Sequence, residues 1–195
     1  MLKPVRTADP SETPVSATEA KAHCDISYSD DDDLFGLLIN AATAHFDGWT
    51  GILGRCLVTQ TWRIDCADWP ANGIIRLPFP DVQSISSVKY FDTDNAEQTV
   101  STSLYGLYED EMGAFVRLGD IFTSPGVYDD RLDAVQVTFV AGYGAAAAVP
   151  AAIKAAILMT VAHLYENRET VTDMETFEVP MGAKALAAPY RRRRL

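Results

Sequence analysis

The sequence predicts an α+β protein: two N-terminal helices, a mainly antiparallel β block, one long buried helix, and an extended C-terminal tail. Three observations carry this prediction. Apolar residues recur at helical spacing up to about Gly48 and again after Pro150, but alternate with period two between Arg55 and Ala141. In that middle region strand follows strand with no helical stretch between, so the pairing is antiparallel rather than the crossover type. Finally, Ala151 to Tyr165 is apolar on nearly every side, with only Lys154, Thr160 and His163 polar, and must be wrapped by protein or lipid. Fifteen residues rise only about 22 Å, against a hydrocarbon core of about 30 Å. Protein is the expected wrapping, whether the chain's own or that of further copies.

The 195 residues suffice for one domain with a real core plus tails, and 48% hydrophobic content is ordinary for a folded chain. The formal charge is −11, although the chain ends in RRRRL; without those four arginines it would be −15. A body this acidic is a poor general nucleic-acid binder, because phosphate contacts need clustered Lys and Arg. Cys24, Cys56 and Cys66 are scattered and odd in number, which argues against a disulfide framework and suits a reducing compartment. Beyond Met1-Leu2-Lys3 the chain turns polar and proline-bearing, so no apolar signal core is expected and synthesis in the cytoplasm is.

Taken in order, residues 1–15 carry Pro4, Pro10 and Pro14 and read as a flexible segment. Ser16 and Glu19 have capping-box spacing, predicting a first helix to about His23 or Cys24. A second helix runs from about Asp31 to Asp47, with Leu34, Leu37, Leu38, Ala41, Ala44 and His45 as its expected buried stripe, and stops at Gly48 and Gly51. Leu57–Cys66, Gly73–Leu77 and Val82–Phe91 read as strands, the last with Val82, Ser84, Ser86 and Val88 on one face. Asp92–Asn95 is a turn into a return strand at Gln98–Val100. Tyr105–Tyr108 and Ala114–Leu118 form a hairpin, and Ala134–Ala141 is the clearest strand. Gly142–Val149 leads into the long helix, which Pro150 can open because first-turn N–H groups have no intrahelical partner anyway. One face of it carries Ile153, Ile157, Val161 and Leu164, and another Leu158, Ala162 and Tyr165. The domain reading is a flexible 1–15, one domain over 16–169 (helices 16–48, β block 55–141, helix 150–169), and an extended tail over 170–195.

Candidate chemistry is sparse. Asp30–Asp33 are neighbours that cannot converge on one ion and suit a helix N-terminus instead. His23 and Cys24 diverge as adjacent side chains, Cys56 and Cys66 sit at opposite ends of one strand, and His45 and His163 fall on helix faces. Nucleophile elbow, P-loop, dinucleotide-glycine and zinc-protease patterns are absent. Catalytic, cofactor and metal residues are therefore not expected. Arg191–Arg194 are different. They read either as a solvated end or as a docking peptide anchored by Pro189 and Tyr190, its arginines pairing with carboxylates or phosphates of a partner. An acidic body with a basic end can also bind neighbouring copies head to tail.

Several segments together resemble one family. They are VSATEAKAHCDI, DDDDLFGLLINAATAHFDGWTG, LPFPDVQSISSVKYFD, VTFVAGYG with VPAAIKAAILMTVAHLYENRE, and the closing ALAAPYRRRRL. In order and spacing this set resembles the head–tail connector (adaptor, or head-completion) proteins of tailed bacteriophages and gene transfer agents, from about Val15 onward. The resemblance implies a non-enzymatic structural role in a phage-like particle, at the head–tail interface, for a protein made in the bacterial cytoplasm. Such proteins form a ring, typically of twelve copies, beneath the portal protein, extend the DNA channel, and offer a platform to stopper and tail proteins. By that analogy Ile153, Ile157, Val161, Leu164, Tyr165 and Arg168 belong to the ring-building helix. Pro189, Tyr190, Arg191, Arg192, Arg193, Arg194 and Leu195 would dock into the portal, and DNA would pass through without specific binding. The long β block departs from the smallest, nearly all-helical members. Two other readings stay open: an oligomeric β-sandwich binding module for glycans or a host surface, with Trp62 and Trp69 in a groove, and a carboxylate hydrolase using Asp65 and Asp68.

Overall fold

The computed structural model describes residues 1–167 and 181–192. In chain order the first elements are β1 (Val5–Ala8), α1 (Ala17–His23), α2 (Asp32–Phe46), β2 (Gln60–Cys66), β3 (Ile74–Arg76) and β4 (Val82–Phe91). They continue with β5 (Glu97–Thr99), β6 (Tyr105–Asp110), β7 (Gly113–Leu118), β8 (Val135–Ala141), α3 (Ala151–Glu166) and α4 (Met181–Ala187). The chain divides into two units. Among the described residues, a β unit takes Met1–Pro10 and Thr59–Gly142, and a helical unit takes Ser11–Val58, 143–167 and 181–192.

The β unit holds a five-stranded sheet in the order β1-β2-β8-β4-β5 and a three-stranded sheet in the order β3-β7-β6, every pairing antiparallel. Strand β8 lies at the centre of the larger sheet, with Val135, Val137, Phe139 and Ala141 fully buried. Its alternation, with Thr138 and Val140 only half-buried between those residues, puts one face of the strand into the unit's core. Phe79 packs between Trp62 and Phe139, at 4.8 and 6.3 Å between ring centroids. Trp69 meets Tyr90 and Phe122 edge-on, and its indole N–H donates to the Pro125 carbonyl at 3.0 Å.

Two expectations for this unit need correction. The residues expected to be flexible at 1–15 include strand β1, which pairs with β2, and the Leu2 N–H donates to the Asp65 carbonyl at 2.8 Å. Prolines flank that strand rather than interrupt it, and it satisfies the row of N–H and C=O groups that β2 otherwise presents at its edge. In β4 the register against β8 shifts twice, between Val82 and Ser84 and between Ile85 and Ser87. Each bulge reverses which face the following side chains take, so Val88 is buried while Ser84 and Ser86 are exposed.

The helical unit begins with the expected capping box: the Glu19 N–H donates to Ser16 Oγ at 3.1 Å, and the Ser16 N–H donates to Glu19 Oε2 at 2.7 Å. The Ser16 N–H, and then the Ser16 hydroxyl donating to Glu19 Oε2 at 2.9 Å, hold the Glu19 carboxyl below its ordinary range. Helix α2 buries Phe35, Ile39, Ala42 and Phe46, not the stripe centred on Leu37, which is 65% exposed. Two apolar stripes run along this helix, and the one with two phenylalanines removes more area from water. After α2 the chain turns back over itself at Gly51, where a Cβ would lie 2.3 Å from the Asp47 carbonyl oxygen. The buried Asp47 carboxylate accepts the Leu57 N–H at 2.7 Å and fixes that return. Helix α3 supplies Ile153, Ala156, Ile157, Thr160 and Val161 to the core, joined there by Ala183 and Ala187 of α4.

The expected extended tail is corrected for its described part. Residues Met181–Ala187 are helical and Ala188–Tyr190 continue as a 3-10 turn. The run after Met181 is rich in good helix formers, and its small side chains let α4 lie close on α3. At Gly182 a Cβ would come within 2.9 Å of Met159 Cε.

Candidate functional site

The predicted ring-helix residues divide by burial. Ile153, Ile157 and Val161 are fully buried among the unit's own side chains, which removes them from any surface. Leu164 and Tyr165 are half-buried, and Arg168 lies outside the described residues. The Tyr165 ring stacks on Phe35 of α2 at 4.8 Å, with 24° between the planes. Its hydroxyl donates to Asp31 Oδ2 at 2.6 Å and lies 3.0 Å from the Tyr28 hydroxyl. The Asp31 carboxylate, followed by the Tyr28 contact, pushes the Tyr165 hydroxyl well above the usual phenol range. An acidic helix start thereby serves as the acceptor that pins α3 to α2.

The predicted docking residues end against a loop of the same unit. Tyr190 is half-buried on the helical core, and the Arg192 N–H donates to the Leu53 carbonyl at 2.9 Å. Pro189 and Arg191 are exposed; Arg193, Arg194 and Leu195 lie outside the described residues. The segment 181–192 contains Lys184, Arg191 and Arg192 and no acid. At the other end of the charge scale, α2 opens on Asp32 and Asp33 behind Asp30 and Asp31. Its outward face then carries Leu37, Ala41 and Ala44, all exposed.

Residues considered for other chemistry are not assembled into a site. Asp65 is 4% exposed and bound by Arg63 at 2.8 Å; Asp68 accepts the Trp69 N–H at 2.7 Å. Trp62 and Trp69, whose exposure in one groove would favour a glycan-binding module, are buried instead. Burial raises the thiols of Cys24 and Cys66, and among the described residues no group of His, Cys, Asp and Glu is arranged to hold a metal ion. None of the described helices is long and apolar enough to cross a membrane.

Three solved structures contain a chain of this architecture. One is described as "Neck of empty GTA particle computed with C6 symmetry", with a TM-score of 0.79, 20% identity, and coverage of 100% of this chain and 97% of that one. The chain shares its fold with particle-neck chains. The second, "Virion of native gene transfer agent (GTA) particle", has a TM-score of 0.77 at 20% identity and the same coverage, 100% and 97%. The third, "Neck of native GTA particle computed with C12 symmetry", gives 0.75 at 19% identity, again covering 100% and 97%. No protein-family model matches the sequence, and no curated protein does either. At this identity the similarity establishes the fold, including the long β block that set the chain apart from nearly all-helical connectors.

Two features of the surface escaped the sequence reading. Periodicity places the outward stripe of α2 in the core, where the structure exposes it, and composition makes 181–187 part of an extended tail, where the structure has a helix. The signal for α4 was present in MGAKALA, a run of alanine, leucine and lysine ended by Pro189.

Proposed function

We propose that this protein is a structural adaptor of a phage-like particle, forming a ring of twelve copies beneath the portal at the head–tail interface. The observation that carries the reading is the fold shared over 100% of the chain, at a TM-score of 0.79, with a chain in a particle neck. Necks of that kind solved with six- and twelve-fold symmetry support a homo-oligomeric ring, and twelve copies is the number the family resemblance implies. In this reading the ring extends the DNA channel, carries the stopper and tail proteins on its far face, and has no enzymatic activity. The basic end, Pro189 to Leu195, docks into the portal, with Arg191 to Arg194 meeting its carboxylates. A formal charge of −11 suits a conduit that repels phosphate, so that DNA slides through instead of sticking.

The test is light scattering after size exclusion, on the protein alone and mixed with its portal. Co-elution at the mass of the portal plus about a dozen copies is expected. A chain lacking Arg191–Leu195 should keep its fold and fail to co-elute. A wild-type chain that ignores the portal would overturn the adaptor reading, and unchanged co-elution of the truncated chain would overturn the docking role of the basic end.

A further inference from the structure

In the helical unit α3 is flanked by two helices that pack on it but share no comparable contact with each other, α2 and α4. They meet different sides of α3: Tyr165 stacks on α2, whereas Met159 faces Gly182 of α4. Six residues apart on a helix, these two positions point about 120° away from one another. The faces of α2 and α4 turned away from α3 are both small and apolar. On α2 they are Leu37, 65% exposed, with exposed Ala41 and Ala44; on α4, exposed Ala185 and Leu186. Their exposed charges are opposite: at the start of α2, with Asp31 and Asp32 held by Tyr165 and Lys21, Asp30 and Asp33 face solvent, while the segment 181–192 has no acid and exposes Arg191.

We propose that these two faces are the halves of one interface, the outward face of α2 docking onto segment 181–192 of a second copy of this chain. Leu37, Ala41 and Ala44 seat against the neighbour's Ala185 and Leu186, since alanines let two helices approach closely. Before the portal is engaged, Arg191 lies towards the neighbour's Asp30 and Asp33, which orients the pair and speeds encounter more than it tightens it. The contact is head to tail: each copy offers one patch and receives with the other, so assembly runs on past a dimer and forms a ring where the rotation between copies closes. The second copy is the occupant because the charges of the two faces match each other, and because chains of this fold occur in necks of six- and twelve-fold symmetry. This interface rests on the ring reading above and specifies how the ring is joined.

The experiment is a concentration series by light scattering, alone and with the portal, on wild type, Leu37→Glu, Leu186→Glu, Asp33→Arg, Arg191→Glu, and the last two combined. Both glutamate variants should keep their circular dichroism and melting temperature, because the replaced side chains are exposed, and should raise the assembly midpoint by at least about tenfold. Each single charge reversal should raise it severalfold, and the double reversal should return it most of the way to wild type. Assembly unaffected by both glutamate substitutions, or charge reversals that do not compensate, would overturn this interface while leaving the ring reading standing. A wild-type chain that stays monomeric both alone and with the portal would sink the two together.

Discussion

The β unit and the helical unit manage their charges in opposite ways. In the β unit basic and acidic side chains are interleaved and meet within its own sheets. Arg63 contacts Asp65 at 2.8 Å, Arg76 contacts Asp110 at 2.6 Å, Lys89 contacts Glu97 at 2.6 Å, and Arg131 contacts Asp133 at 2.8 Å. The helical unit pairs Lys21 with Asp32 at 2.5 Å but otherwise gathers acids at the start of α2 and bases at the end of the chain. Interleaved pairs leave little net field, whereas sorted charges project one that another molecule can read. Apolar surface does not divide this way. In the β unit's smaller sheet Tyr108 stacks on Phe115 at 5.8 Å and the Arg76 guanidinium sits 4.9 Å from the Phe115 ring, yet the same unit leaves Ile121 80% and Leu132 68% exposed. The helical unit leaves Leu37 65% exposed. The contrast between the units is one of charge, not of apolar surface.

The sharpest way to probe this comparison is to damage each core separately. Phe139→Ala in the β unit and Phe35→Ala in the helical unit both truncate a fully buried ring, and each should cost about 3–5 kcal/mol. Hydrogen exchange should locate the loss in β2, β4 and β8 for the first and in α1, α2 and α3 for the second. Matching losses of protection everywhere would show that the two units open as one. Next in size is Asp47→Ala, which strands the buried Leu57 N–H that this carboxylate now accepts. A loss of about 1–3 kcal/mol is expected in denaturant melts, and a loss under about 0.5 kcal/mol would show that the loop finds another acceptor.

A pH series should separate the carboxyls from the half-buried hydroxyls and thiols by sign. In the β unit three carboxyls are held below their ordinary 3.8: Asp92 by the Gln98 amide and then the Ala96 N–H, Asp110 by Arg76, and Asp133 by Arg131. A depressed folded-state value means that this contribution is complete above about pH 4 and is lost as pH falls through the folded values. Glu19 of the helical unit, lowered from 4.5, adds a term of the same sign. Tyr165 has the opposite sign: its hydroxyl titrates above the ordinary 10.0, so its contribution is complete below pH 10 and is lost as pH rises beyond it. The expected result is acid sensitivity centred on the β unit and an alkaline limb shared between the α2–α3 contact, through Tyr165, and the β unit, where burial raises Tyr105 and Cys66. Tyr165→Phe should shrink the alkaline limb while keeping the stack on Phe35; an unchanged limb would show that the other groups carry it.

The smallest effect expected is that of Arg76→Ala. Its exposed, two-pronged pair with Asp110 at 2.6 and 2.7 Å should contribute little to the melting temperature. Amide exchange at the β6–β7 hairpin should still rise severalfold, because the pair ties that hairpin to β3. A fall of several degrees in the melting temperature would mean that surface pairing carries more of the β unit than its core does.

Where the chain's signals are local, they were legible. Ser16 and Glu19 specify the start of α1 by their spacing, Val135–Ala141 announces a strand by its alternation and β-branched residues, and the apolar circumference of α3 demands burial. Where the outcome hangs on a partner distant in sequence, they were not. Strand β1 exists because β2 offers an edge more than fifty residues away, with Val5 opposite Arg63. The two bulges of β4 follow from its register on β8, and α4 is held by a bed on α3 that only the folded unit provides.

The two stripes of α2 mark the same boundary. Composition and periodicity by themselves determined that this segment is a helix and that apolar residues run along it. Only the tertiary structure decided that Phe35, Ile39, Ala42 and Phe46 turn inward while Leu37, Ala41 and Ala44 face out. Periodicity records that a stripe has apolar side chains to cover; which stripe is covered depends on what else the chain brings alongside. Here the aromatic ring of Tyr165, far away in the sequence, stacks on Phe35 and settles the choice.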